Sequence, residues 1–193
     1  MRPSTPERCP WADCNDEMRA YHDREWGVPA HDDHHLFEML VLGGAQAGLS
    51  WRSILQRRDG YRRAFHDFDI RKLARMTDAT IERHLRDPGI IRNRAKIESV
   101  RTNARAALQA IDAFGSLDTW LWSFVDGKPK VNRWRRNGDV PAETRESKAM
   151  SEALRVRGFV FAGPTICYAF MQAAGMVDDH LLGCFRHTSR RTS

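Results

Sequence analysis

Asn93–Ala113, NRAKIESVRTNARAALQAIDA, decides the fold class. Ile97, Val100, Ala104 and Leu108 recur at spacings of three and four, so they share one face of an α-helix while charged and amide side chains occupy the rest. Asn93 stands at the N-cap, where a side-chain oxygen takes one of the free N–H groups of the first turn. The same signature repeats outward in both directions. Asp32 and Asp33 precede a stripe of Leu36, Phe37, Leu40 and Val41, with Gly43 and Gly44 read as breaking or loosening that helix at its end. Ser50 opens a helix carrying Ile54 and Leu55, Asp69 opens Ile70–Met76, and Thr77 opens a segment through Ile81 and Leu85. Further on, Ser116 caps Trp120–Phe124, and Ser147–Arg157 and Thr165–Ala174 complete the set. No stretch shows the period-two alternation of a strand, so the reading is all-α.

Gly127–Glu146, GKPKVNRWRRNGDVPAETRE, is different: Pro, Gly and clustered Arg make it an irregular, mobile crossover. The polar tail after Arg186 reads as frayed. A length of 193 residues suits one domain, residues 1–193, or two closely packed helical subdomains. No apolar run approaches the roughly 20 residues of a membrane span. Met1–Cys9 is polar without a hydrophobic leader, giving an expectation of no membrane association and a cytoplasmic location, which in a bacterium includes access to DNA. Lys and Arg total 31 against 25 Asp and Glu, a formal charge of +6. That balance fits a nucleic-acid partner, and equally a generic basic surface, because net charge does not report clustering.

Four cysteines stand at positions 9, 14, 167 and 184. Without an export signal disulfides are disfavoured, leaving metal binding or burial. Cys9 and His22 near one end, and His180 and Cys184 near the other, form a mixed thiolate–imidazole set suited to tetrahedral zinc. A helix would put His180 and Cys184 on one face, and a metal there would staple the chain ends. Spacing alone leaves plain burial open, with His31, His34, His35 and Asp179 as competing ligands. Cys167, within TICYAFMQ, reads as a buried small hydrophobe and Cys14 as a bystander.

Several longer blocks carry a resemblance. RCPWADCNDEMRAYHDREWGVP (Arg8–Pro29), AQAGLSWRSILQRRDGYRRAFHDFD (Ala45–Asp69), GIIRNRAKIESVRTNA (Gly89–Ala104), LWSFVDGKP (Leu121–Pro129) and RGFVFAGPTICYAFMQAAGMVDDHLLGC (Arg157–Cys184) together resemble, in content and order, the 3-methyladenine DNA glycosylase I family. The resemblance implies a helix-hairpin-helix DNA glycosylase fold. It also implies a structural zinc on Cys9, His22, His180 and Cys184 that joins the N- and C-terminal segments. The implied activity is hydrolysis of the N-glycosidic bond of 3-methyladenine, or a related alkylated base, in double-stranded DNA. A monomeric enzyme would release the free base and leave an abasic site without a lyase step. Residue by residue, Tyr21 and Trp51 match the positions that stack on the damaged base, and Trp11 and Trp26 match nearby pocket aromatics. Gln46 reads as a hydrogen-bond partner for a base edge or the opposing strand, and equally as a loop cap. Leu49 matches the apolar plug that fills the gap in the duplex. The hairpin Leu85–Lys96, with Gly89, Arg92, Arg94 and Lys96, matches the element set against the phosphate backbone; taken by itself it reads as a turn between two amphipathic helices.

The implied chemistry is physically coherent. A base within a duplex must be flipped into a pocket to be cut. A purine alkylated at N3 is a cation, so it leaves without much protonation, and electron-rich aromatic faces favour it over neutral adenine. One position departs from the family. Where the family has Glu before the QAGLSW segment, this chain has Gly43, which removes an acceptor and a negative charge. Glu38, five residues earlier, lies about 140° around a helix and is no simple stand-in. Asp23 and Glu25 are near in sequence, their direction open. Three readings follow: weakened activity sustained by stacking alone, a pocket retuned for a bulkier or less charged base, or an inactive form, natural or engineered; a lesion binder that lacks the chemistry is the main rival function. A zinc-stapled interaction protein unrelated to DNA is a further rival, disfavoured by the retained Tyr21, Trp51 and QAGLSW block.

Overall fold

Six helices begin at the polar residue that the sequence nominates. In the computed structural model, which describes residues 7–191, the side chains of Asp32, Ser50, Asp69, Thr77, Asn93 and Ser116 each accept a hydrogen bond from the backbone N–H three residues on. The helices are α1 (Asp16–Arg24), α2 (Asp33–Gln46), α3 (Trp51–Leu55), α4 (Arg58–Ala64), α5 (Ile70–Ala74), α6 (Asp78–His84), α7 (Arg94–Phe114), α8 (Leu117–Trp122), α9 (Arg145–Val156), α10 (Pro164–Ala173) and α11 (Thr188–Arg191). α7 packs against α2, α5 and α8, and α10 packs against α2 and α9. Leu36, Phe37 and Leu42 of α2, Ile97, Ala104 and Ala107 of α7 and Met171 of α10 are buried in the main core. Each large aliphatic or aromatic side chain buried there contributes about 1.5–3 kcal/mol. Cys9, Met18, Tyr21, Trp26, Leu55, Leu181 and Cys184 form a second apolar cluster where the two chain ends meet. No helix among the described residues is long and apolar enough to cross a membrane.

Several readings need correction. α2 runs through Gly43 and Gly44 to Gln46. Gly44 lets the helix lie close to Phe161, whose Cβ would be 3.1 Å from an added Cβ; packing outweighs the roughly 1 kcal/mol a helical glycine costs. α1 and α4 were not anticipated, although Asn15 caps α1 through Met18 N. Gly127–Glu146 is not a loose crossover. It contributes a two-residue strand, β1 (Lys130–Val131), parallel to β2 (Val177–Asp178), and the Trp134 carbonyl accepts from Leu182 N. His180–Cys184 is not helical; it follows β2 as an extended segment and turn. The tail is anchored at its start, since His187 is fully buried and Nε2 contacts the Asn132 carbonyl. Met1–Pro6, part of the polar N-terminal reading, and Thr192–Ser193 lie outside the described residues.

Candidate active site and metal centre

A cavity of about 470 Å³ opens between the two apolar clusters. Trp11, Tyr21, Trp26, Gly43, Gln46 and Trp51 all line it. Tyr21 from α1 and Trp51 at the start of α3 sit 5.3 Å apart between ring centroids, tilted by 44°. Trp26 and Trp11 meet edge to face at 4.9 Å. Burial pushes the Tyr21 hydroxyl far above its ordinary pKa, so it is a neutral phenol. Trp51 Nε1 is buried without a hydrogen-bond partner among the described residues.

Gly43 faces the same cavity from α2. Among the described residues a Cβ there would meet only Ile166 Cγ2, at 3.6 Å, an ordinary contact. The nearby carboxylates are engaged elsewhere. Glu38 is buried between Arg58 and Arg62, with Nε–Oε1 distances of 2.8 Å to each, and also meets His35. Burial opposes its ionisation, but those three partners outweigh it and hold its pKa well below the usual carboxylate range. Glu25 accepts from Arg58 at 2.6 Å, and Asp23 binds Arg8 and His22.

The opposite wall was not foreseen. Tyr168, Phe170 and Gln172 from α10 and Asp179 after β2 line it, and Val140–Ala142 from the crossover approach from the side. Asp179 is therefore a pocket residue and not a metal ligand. The signal available in sequence was the Asp178–Asp179 pair in an extended segment, where successive side chains point to opposite sides.

Behind the aromatic wall, ligand atoms of Cys9, His22 and Cys184 lie within 4.8 Å of one another, all buried. This set could bind a metal. His22 Nε2 is 3.4 Å from Cys184 Sγ, while its Nδ1 contacts Asp23 at 2.8 Å. The His180 ring lies edge-on to His22 at 5.0 Å; its Nδ1 contacts Asp178 at 3.0 Å and its Nε2 is buried with no hydrogen-bond partner among the described residues. Gly27, at φ +73°, leaves room for this ring: an added Cβ would lie 2.6 Å from His180 Cε1. A hydrogen bond from Cys9, opposed by burial and aided by His22, pulls the Cys184 thiol down to about 4. The same contact, with burial, pushes Cys9 up. His31 instead pairs with Asp118, His35 with Glu38, and His34 is exposed. Cys167 is buried and Cys14 exposed. Metal cluster and cavity share a wall, because Trp26 packs on His180 at 4.6 Å and Trp11 on His22 at 5.3 Å.

Between the cavity-lining Gln46 and Trp51, Leu49 is 41% exposed on the turn between α2 and α3. The hairpin 85–93 joins α6 to α7. Gly89 meets a close approach within the protein itself, since a Cβ on Gly60 would lie 2.1 Å from its carbonyl oxygen. Lys96 is not free to face outward: Nζ donates to the Ala45 and Ala47 carbonyls at 2.8 and 2.7 Å, tying α7 to the end of α2. Arg94 is exposed but pairs with Glu82 and Glu98. Arg92 is exposed and has no ion-pair partner among the described residues.

Comparison with known proteins is consistent over the whole fold. Residues 11–187 match the family described as methyladenine glycosylase. The chain is 48% identical over 178 residues to DNA-3-methyladenine glycosylase 1 of Escherichia coli (strain K12), covering 92% of this chain and 95% of that protein. A crystal structure of a 3-methyladenine DNA glycosylase I superposes with a TM-score of 0.90 at 47% identity, covering 94% of this chain and all of the other. A Staphylococcus aureus 3-methyladenine DNA glycosylase I, whose structural basis of 3-methyladenine recognition has been determined, superposes with a TM-score of 0.89 at 36% identity, covering 92% and 94%.

Proposed function

The chain belongs to the methyladenine glycosylase family, and from that premise we propose that it is a DNA-repair glycosylase cutting the N-glycosidic bond of 3-methyladenine, or a related alkylated base, in duplex DNA. The observation that carries this reading is the gathering of Trp11, Tyr21, Trp26, Gln46 and Trp51 around one cavity, of a size within the roughly 300–1,000 Å³ of small-ligand sites. A flipped base enters this cavity and rests against the aromatic surface that Tyr21 and Trp51 form together. Its positive charge is stabilised by their π-systems, and because it leaves as a neutral molecule, no strong general acid is needed. No lysine lines the cavity among the described residues, so the chemistry favoured is hydrolysis to free base and abasic site, without the Schiff base a lyase step requires.

Leu49, exposed beside the cavity, fits the apolar plug. The hairpin joining α6 and α7 serves as the helix-hairpin-helix element, with Arg92 its best-placed phosphate partner and Arg94 available by exchange of Glu82 and Glu98 for phosphate. Gly89 and Lys96 act there indirectly, through the shape of the turn and the α2–α7 tie. Cys9, His22, Cys184 and His180 would hold a structural zinc, supported by two soft sulfurs and the orphaned His180 Nε2; bound there, it supplies cross-linking and takes no part in hydrolysis. The protein acts as one monomeric domain in the cytoplasm.

Gly43 favours a second reading, a lesion binder with impaired cutting. Here a carboxylate that would read the base edge is missing, although a Cβ at this position makes only an ordinary contact, with Ile166 among the described residues. The test is release of free bases from methylated duplex DNA by the native chain and by Gly43→Glu. Release of 3-methyladenine or another alkylated base by the native chain, without strand scission, supports the enzyme. Tight lesion binding with no base released from any substrate, restored by Gly43→Glu, supports the binder.

A further inference from the structure

Asp179 is 3% exposed and is the only acidic or basic residue lining the cavity among the described residues. Asn132 Nδ2 and Trp134 Nε1 donate to Oδ1 at 2.7 and 2.8 Å; Tyr168 Oη and Gln172 Nε2 donate to Oδ2 at 2.5 and 2.8 Å. All four donors are neutral groups. A carboxylate offers about four lone-pair sites, so this one has no acceptor left for a ligand. It also has no ion-pair partner among the described residues. Its neighbour Asp178, equally buried, faces away and is matched to His180 and Thr188. Buried charges are almost always paired or hold a metal. A fully hydrogen-bonded anion without a counter-charge, on the wall of an aromatic cavity, awaits a cation that enters the cavity.

We propose that Asp179 determines specificity in this pocket, selecting positively charged alkylated purines over neutral bases of the same shape by its field and not by a hydrogen bond. The proposal rests on the cavity being the base site. It assigns the missing Gly43 carboxylate and Asp179 different duties: the first would read a base edge, the second reads charge.

The experiment compares equilibrium binding to two duplexes. One carries 3-methyladenine on a 2′-fluorinated sugar that resists cleavage; the other carries its neutral isostere with carbon in place of N3. Asp179→Asn is expected to weaken binding of the charged lesion about tenfold, as for a unit charge at pocket distance in a partly dry site, and to change the neutral one by less than about twofold. Gln172→Lys keeps a donor on Oδ2 and neutralises the carboxylate internally; it is expected to cause the same selective loss, and decides the matter if Asp179→Asn does not fold. Equal losses on both duplexes, an undiminished preference in Gln172→Lys, or no charge preference in the native chain overturns the proposal. Because the readout is binding, it stands apart from base release, on which the enzymatic reading depends.

Discussion

Asp178 and Asp179 are consecutive, equally buried and opposite in what they serve. Asp178 turns to the metal cluster, where His180 and Thr188 account for its charge. Burial raises its pKa, but those contacts outweigh it and hold it low. Asp179 turns to the cavity, where only neutral donors meet it. The Cys/His side is thus internally balanced, which suits the proposed structural role. The pocket side is left, among the described residues, with a charge that has no ion-pair partner and a Trp51 Nε1 without a hydrogen-bond partner, which suits the proposed binding role. Adjacent residues diverge this way because an extended backbone alternates its side chains.

The largest effect expected from breaking the metal side is that of Cys184→Ala. If the proposed zinc is bound, this substitution removes one of the proposed ligands, should abolish stoichiometric zinc, and should lower stability by about 3 kcal/mol or more, because metal binding is coupled to folding. Since Trp11 and Trp26 pack on His22 and His180, lesion binding should fall too. A zinc-free native chain whose melting is unaffected by chelator or by this substitution would break the comparison. A smaller effect, on the same side, is that of Asp178→Asn. Loss of an outer-shell partner typically weakens a metal about 10–100-fold, so zinc competition should register it while the charge preference of the pocket stays. On the pocket side, Trp51→Ala should weaken lesion binding by about 1–3 kcal/mol, the worth of one stacked base, with little change on undamaged duplex. Equal losses on both would make Trp51 a packing residue.

Much of the fold was legible because caps are local. Asp32, Ser50, Asp69, Thr77, Asn93 and Ser116 announce helices through bonds that span three residues. What escaped depends on distant partners. Gly43 and Gly44 look like a helix end until Phe161 and Ile166 are seen beside them. The crossover looks loose until β2 and Asp179 fasten Lys130–Trp134. The aromatic half of the pocket and three metal-cluster residues were legible as blocks of sequence, whereas the polar half was not. Asp179 owes its place to Asn132, Trp134, Tyr168 and Gln172, drawn from segments that no single motif joins. Lys96 likewise reads as a phosphate ligand until the carbonyls of Ala45 and Ala47 are found to occupy it.

The central claim is that this pocket excises a charged alkylated base although Gly43 stands where the sequence resemblance implies Glu. Single-turnover release of 3-methyladenine from methylated duplex DNA by the native chain tests it most directly. The account predicts measurable release, faster in Gly43→Glu, whose added Cβ makes an ordinary contact with Ile166. Absence of release from the native chain, under conditions where Gly43→Glu releases the base, would contradict it.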